Sequence, residues 1–314
     1  MKTRFLIYPA AALLLLPLLL AACRGTGVEI DPLAAGEDPD LRAARILWEE
    51  GQAREAEDEW KRALKIYREL VEDYPRSPQG PEAQFRVGVC LEELDDLYGA
   101  FRAYQILLEE FPGKGNLGEI LSRQYEIGEA YLQGRKRPFL FVKIRSGLGR
   151  AEEIFRTILN NATFSQVSPR AQFGLARSFQ LRGDYREAIL EYEQVLVNYP
   201  GAEVIPPALF QTGVCYYQEA LRADYDQREV NEAVRNLRRF IHSFPEDPRR
   251  ARAEEMIVEL TDRKAKKAFD IARYYESKGS PTGARIYYRE VAERYPESKY
   301  AGPAREKLDE LAGD

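Results

Sequence analysis

Histidine occurs once in this 314-residue chain, as His242, and cysteine three times, as Cys23, Cys90 and Cys215. One imidazole and three scattered thiols exclude a zinc ribbon, an iron–sulfur site and most histidine-based catalysis. No single sign of charge dominates. The net charge is −5 with acidic and basic residues interleaved, which argues against a nucleic-acid backbone as the main partner. Nucleophile elbows, phosphate loops and metal motifs are missing. Among 51 Asp and Glu, pairs such as Glu92-Glu93 and Asp95-Asp96 are unavoidable. General acid–base work needs a tuned pKa as well as proximity, so these pairs read as a solvated helix face or turn. His242 reads as a helix-end residue near the last carbonyls. The expectation is a protein that is not an enzyme, with no catalytic residue, metal or cofactor. What is plentiful is apolar residues (45%), tyrosine (19) and phenylalanine (14).

The first segment is an address. Lys2 and Arg4 precede Phe5–Ala22, an apolar stretch with Leu13–Leu16 and Leu18–Leu20. A basic start, an apolar run and small residues at its end form a secretory signal. Pro9 and Pro17 weaken the same run as a spanning helix. Leu20-Ala21-Ala22-Cys23 resembles the lipobox of bacterial lipoproteins. That resemblance implies removal of residues 1–22 and lipidation of Cys23, with several acyl chains at ~0.8 kcal/mol per buried CH₂. The next residue is Arg24 rather than the aspartate that retains enteric lipoproteins at the inner membrane. This implies an outer-membrane anchor facing the periplasm. Residues 23–40 carry Gly25, Gly27, Pro32, Gly36 and Pro39 and read as a flexible lipidated tether.

From residue 41 the chain repeats itself. Aromatic–Pro occurs as Tyr74-Pro75, Phe111-Pro112, Tyr199-Pro200, Phe244-Pro245 and Tyr295-Pro296. Eight residues before each proline stands Tyr67, Tyr104, Tyr192, Leu237 or Tyr288, and four before that Ala63, Ala100, Ala188, Ala233 or Ala284. Ala151 and Phe155 continue the series in a copy whose proline position is Thr163. Twelve residues before the alanine come Gly51, Gly88, Ala176 and Ala272, with Gly128 and Gly213 in the same role after longer intervals. This is similar to the tetratricopeptide (TPR) pattern. The small residues sit where two antiparallel helices cross, the aromatics fill the space between repeats, and the proline ends the second helix. The resemblance implies an all-α, right-handed TPR-type solenoid of about six helix pairs, burying its apolar residues between neighbouring repeats. The pairs fall at about 41–75, 81–112, 119–163, 169–200, 205–245 and 252–296, with Ala301–Leu311 as a closing helix. Arg54–Trp60 has no clear turn signal, so the first pair could be one long helix. Cys90 and Cys215 each follow Gly-Val at one place in the repeat and read as buried small hydrophobes, too far apart for a disulfide.

Two insertions break the period. Gln133–Gly149 in the third copy places Arg135, Lys136, Arg137, Lys143 and Arg145 around Phe139-Leu140-Phe141-Val142 and Ile144. It reads either as a contact for a partner or an anionic membrane surface, through Phe139 and Phe141, or as an apolar segment tucked into the solenoid's own groove. In the fifth copy the extra residues lie within Gln218–Asn231. They read as a longer helix plus an ordered turn.

The last two copies resemble the BamD family, the lipoprotein subunit of the β-barrel assembly machinery. The matching residues are Asp226-Gln227-Arg228 in a lengthened penultimate repeat, then Phe244-Pro245. A helix ending in Leu260-Thr261-Asp262-Arg263-Lys264-Ala265 follows, then Ala272-Arg273-Tyr274-Tyr275, Gly279 and Tyr295-Pro296-Glu297-Ser298. The chain departs from the family in having six copies rather than five. It also carries Ile286-Tyr287 where relatives often have Asn-Arg, with Arg285 and Arg289 nearby. The resemblance implies four N-terminal repeats (41–200) and BamD-like C-terminal repeats with a closing helix (201–314). Its implied partners are a barrel-forming assembly subunit, other envelope proteins, unfolded outer-membrane protein segments and, through the lipid, the membrane; nucleic acid is not among them. Partner contacts would fall at Asp226, Gln227, Arg228, Arg285 and Arg289. The function implied is a non-catalytic scaffold for β-barrel assembly. A TPR lipoprotein of another envelope process, such as division coordination or polysaccharide export, is the alternative. A carboxylate-capturing TPR site needs an asparagine after the first-helix small residue. Gln52, Val89, Glu129, Arg177, Val214 and Arg273 stand there instead.

Overall fold

The computed structural model describes residues 38–134, 144–222 and 227–312. Among these residues the chain forms thirteen helices and no strand. It divides into two compact units, residues 1–90 and 91–314.

The first unit holds α1 (Pro39–Ala56), α2 (Trp60–Asp73) and most of α3 (Gly80–Glu93). The Asp38 carboxylate accepts from Asp40 N (2.9 Å) and caps α1. The first pair is two helices rather than one. Asp58 takes a positive φ of 56°, its N–H bonds to Glu55 O, and Glu59 N bonds to Arg54 O. Aspartate tolerates the left-handed region through local hydrogen bonding, so the turn forms without the glycine that would have announced it. Ala63 and Tyr67 are fully buried. Gly51 is small of necessity, because a Cβ there would stand 2.5 Å from the Tyr67 ring.

The second unit holds α4 (Leu97–Glu110), α5 (Leu117–Leu132), α6 (Ile144–Asn161), α7 (Ser168–Arg182), α8 (Tyr185–Asn198) and α9 (Ile205–Arg222). It continues with α10 (Gln227–Ser243), α11 (Arg250–Ser277), α12 (Pro281–Arg294) and α13 (Ala301–Glu310). Each helix from α4 onward packs on its successor, and the first helices α5 and α7 also touch. The turns within pairs reuse the Asp58 closure. Asp95 (φ 63°), Gly183 (φ 88°) and Gly279 (φ 69°) each end a first helix in the left-handed region. Their N–H groups bond three residues back, and the following residue bonds five back. The aromatic–Pro turns end the second helices. Tyr199, Phe244 and Tyr295 each donate N–H to the carbonyl four residues earlier, and the proline cannot extend that ladder.

Phe155 shows the packing logic. A Cβ on Gly128 would stand 2.7 Å from its ring and one on Gly174 2.6 Å, so the ring is sandwiched between glycines of two successive first helices. The inserted stretch at 133–149 is not wholly loop, since Ile144–Gly149 forms the first turns of α6; residues 135–143 lie outside the described residues. In the fifth copy the first helix is longer, α9 running to Arg222. Cys90 and Cys215 are buried free thiols, and burial pushes the Cys215 thiol up to about 12.

The end of the unit corrects one expectation. The helix containing Leu260–Ala265 does not stop there but runs unbroken from Arg250 to Ser277. No Gly or Pro interrupts these 28 residues, and Ala265, Ala268 and Ala272 favour propagation. The N-terminal half of α11 joins α9 and α10 around Leu237, Phe240 and Met256. Its C-terminal half joins α12 and α13 around Tyr288 and Val291. One continuous helix thus connects two apolar clusters.

Candidate partner-binding surfaces and a tyrosine–carboxylate ladder

The fully buried repeat tyrosines are not only packing units. Each sends its hydroxyl to a polar side chain twelve residues earlier, on the first helix of its own pair. Tyr67 donates to Glu55 (2.7 Å), Tyr192 to Gln180 (2.6 Å), Tyr288 to Glu276 (2.7 Å), and Tyr104 to Glu92. A second partner lies 31 residues after that acceptor, on a later helix. Arg86 meets Glu55 (3.0 Å), Arg123 meets Glu92 (3.4 Å) and Lys307 meets Glu276 (3.3 Å), while Gln180 donates to Gln211 (2.7 Å). The two copies without a repeat tyrosine depart together. Four residues after the small residue they carry Leu132 and Tyr217, and in place of the repeat tyrosine Phe155 and Leu237. A buried hydroxyl and its acceptor are kept or lost as a pair, as the cost of an unpartnered buried polar group requires.

The electrostatics follow. Burial, then the neighbouring carboxylate, pushes the hydroxyls of Tyr67, Tyr104 and Tyr288 far above the ordinary tyrosine value. Burial does the same for Tyr192. The Glu276 carboxyl is held below its usual range by the Tyr288 hydrogen bond and Lys307. These groups therefore act as fixed donors and acceptors joining repeats. Sequence reading missed them, although the signal is present: Glu or Gln four residues after the small residue and twelve before a tyrosine.

The first-helix surface of the second unit carries charge in pairs. Glu129 and Arg177, two of the positions where a carboxylate-capturing site would need asparagine, instead pair with each other at 3.1 Å. The Arg170 guanidinium lies 4.2 Å from the Tyr125 ring centroid. A depression of about 470 Å³ lies between the starts of α5 and α7, lined by Asn116, Glu119, Ser122, Ser165 and Gln166 together with Leu121 and Val167. Among the described residues, no three His, Cys, Asp or Glu side chains gather as a metal site, and no helix is long and apolar enough to cross a membrane.

Of the partner-binding residues read from the sequence, Cys23, Phe139, Phe141 and Asp226 lie outside the described residues. Gln227 is the first residue of α10, and its side chain is not described. Arg228 follows it, exposed, 3.9 Å from Glu229. Arg285 and Arg289 are exposed one turn apart on α12. The structure does not gather these arginines into one site, because α10 and α12 pack against opposite halves of α11.

Helix pairs closed by left-handed turns, glycine–aromatic crossings and aromatic–Pro exits define a tetratricopeptide-repeat protein, and residues 41–114 match the tetratricopeptide repeat family. Residues 144–312 match the YfiO outer membrane lipoprotein family over more than half of the chain, so the chain belongs to that family. It is 24% identical over 166 residues to outer membrane protein assembly factor BamD of Caulobacter vibrioides, covering 53% of this chain and 54% of the relative. It is 30% identical over 152 residues to a putative BamD of Aquifex aeolicus, covering 48% of this chain and 49% of the relative. The chain thus spans about half the length of the curated relatives it matches. Among solved structures, a thermophilic TPR protein of Thermus thermophilus aligns at 14% identity with a TM-score of 0.37, covering 68% of this chain and 98% of that one.

Proposed function

We propose that this protein is a non-catalytic scaffold of outer-membrane protein assembly, anchored by lipid at Cys23 to the periplasmic face of the outer membrane. The observation that carries the reading is the family match over residues 144–312, supported by the two BamD relatives. The mode of action is protein–protein binding. Repeats in 201–314 dock on the barrel-forming assembly subunit, and repeats in 41–200 receive unfolded outer-membrane protein segments. Stacked helix pairs suit this work, because they present extended surfaces on which a strand-like segment can lie.

Depletion in the native cell tests the reading. Folded, heat-modifiable β-barrel proteins should fall in the outer membrane while unfolded precursors accumulate in the periplasm. Affinity purification in mild detergent should recover the barrel-forming subunit. Normal barrel levels after depletion would sink the proposal. Crosslinkers placed in the two repeat sets test the division of labour, which fails if both label the same species.

A further inference from the structure

The outer face of α10 carries a line of arginines. At about 100° per residue, Arg228, Asn231, Arg235, Arg238, Arg239 and His242 fall within an arc of roughly 100° and run about 21 Å along the helix. Side-chain exposure is 84% at Arg228 and 71% at Arg235. Arg238, Arg239 and His242 are exposed as well. Arg235 is paired with Glu232, whereas Arg238 and Arg239 form no ion pair among the described residues. On the neighbouring α11, Arg250, Arg252 and Arg263 are each paired with a glutamate on their own helix, while Lys267 and Arg273 are exposed and separate from one another. Lys264 of α11 donates to Asn231 (2.8 Å), adding an ammonium beside the line. The opposite face of α10 is spent, with Val230, Ala233, Leu237 and Phe240 buried in the core.

We propose that this face is a docking surface for an acidic polypeptide segment whose carboxylates meet Arg238 and Arg239. Two unpaired guanidiniums side by side in an acidic chain leave a local positive potential that a carboxylate-rich partner neutralises. Every cation of the line is arginine, whose planar fork pairs bidentately with a carboxylate. A helix that lies on a membrane presents an apolar face to the headgroups. Here that face is inside the protein, and α10 exposes no large hydrophobic side chain. The inference deepens the scaffold reading above, on which it rests for the partner's being a protein.

Binding of the full chain in mild detergent to a fluorescein-labelled 20-residue oligoglutamate peptide tests it by anisotropy. The wild type should bind in low salt, R238E/R239E should weaken binding tenfold or more, and R68E/R76E, the same charge change at two exposed arginines of the first unit, should stay within twofold. Equal loss in both variants, or none in R238E/R239E, overturns the proposal. Flotation with phosphatidylethanolamine vesicles, with and without phosphatidylglycerol, is the second arm. An increment from the anionic lipid that R238E/R239E removes, without peptide binding, assigns the face to the membrane and also overturns it. Both arginines are exposed and unpaired, so the variant should melt with the wild type; if it does not, R238A and R239A are read singly. Normal barrel assembly after depletion alongside the expected peptide result would sink the scaffold reading and leave this one standing.

Discussion

Asp262, in the middle of α11, accepts hydrogen bonds from the Ser298 hydroxyl (2.7 Å) and the Lys299 backbone N–H (3.1 Å). The turn between α12 and α13 is thereby pinned to the helix that carries both apolar clusters. Asp262 and Ser298 belong to two of the segments that carry the resemblance to BamD, and their contact gives both a physical reason. Replacing Asp262 by Ala leaves a 6%-exposed serine without its acceptor, at a cost of about 1–3 kcal/mol. Asp262→Asn keeps an acceptor oxygen and should recover most of it. Urea unfolding of the three proteins checks this, and equal stability of wild type and Asp262→Ala would remove the pinning role.

The ladder predicts opposite outcomes for one change of hydroxyl. Tyr288→Phe removes a donor that Glu276 uses and should cost about 1–2 kcal/mol. Phe155→Tyr adds a hydroxyl to a ring held between Gly128 and Gly174, in a copy that carries Leu132 at the position of the ladder acceptor, and should cost about 1–3 kcal/mol. Thermal melts of both variants decide it. A neutral or stabilised Phe155→Tyr would show that the third copy holds an acceptor after all.

Legibility in the sequence tracked the kind of information involved. Ala-x₃-aromatic with its small residue and proline is a packing rule, so all six pairs and the closing helix could be read within a few residues. The turn at Asp58 escaped because an aspartate does the work of a glycine. The unbroken α11 escaped because the family resemblance implied a helix ending at Leu260–Ala265, whereas the residues that follow contain no Gly or Pro to stop it before Ser277. Glu55, Glu92 and Glu276 look like ordinary surface charges until folding sets each against a tyrosine twelve residues on. The arginines of α10 are scattered in sequence and align only through the helical period. Of the residues taken from the family resemblance, Arg228 lies on that line, whereas Arg285 and Arg289 sit apart on α12.

Close packing around Phe155 predicts a strong asymmetry between rim and centre. Gly128→Ala and Gly174→Ala each drive a methyl to within 2.7 Å or less of the ring and should destabilise by about 1–3 kcal/mol through overpacking. Gly149→Ala and Gly302→Ala meet open space and should be neutral or slightly stabilising, as expected in a helix. A Gly128→Ala/Phe155→Leu double variant should recover part of the Gly128→Ala loss by making room for the methyl. Additive losses in that cycle would mean that the ring is not what the methyl meets.

The same ladder sets how stability depends on pH, at both ends of the scale. Tyr67, Tyr104, Tyr192 and Tyr288 have folded pKa values raised by burial. They bind protons more tightly folded than unfolded, so their contribution is complete below the unfolded tyrosine value of about 10 and is lost as pH rises beyond it. Glu276 is depressed in the folded state. Its contribution is complete above the unfolded glutamate value and declines as pH falls through the lower folded value. Unfolding midpoints measured between pH 3 and pH 11 should therefore drop at both extremes. Tyr288→Phe should flatten the alkaline limb, and Glu276→Gln the acid limb. If Tyr288→Phe leaves the alkaline limb unchanged, the buried Tyr288 hydroxyl is not among the groups whose resistance to ionisation sets that limb.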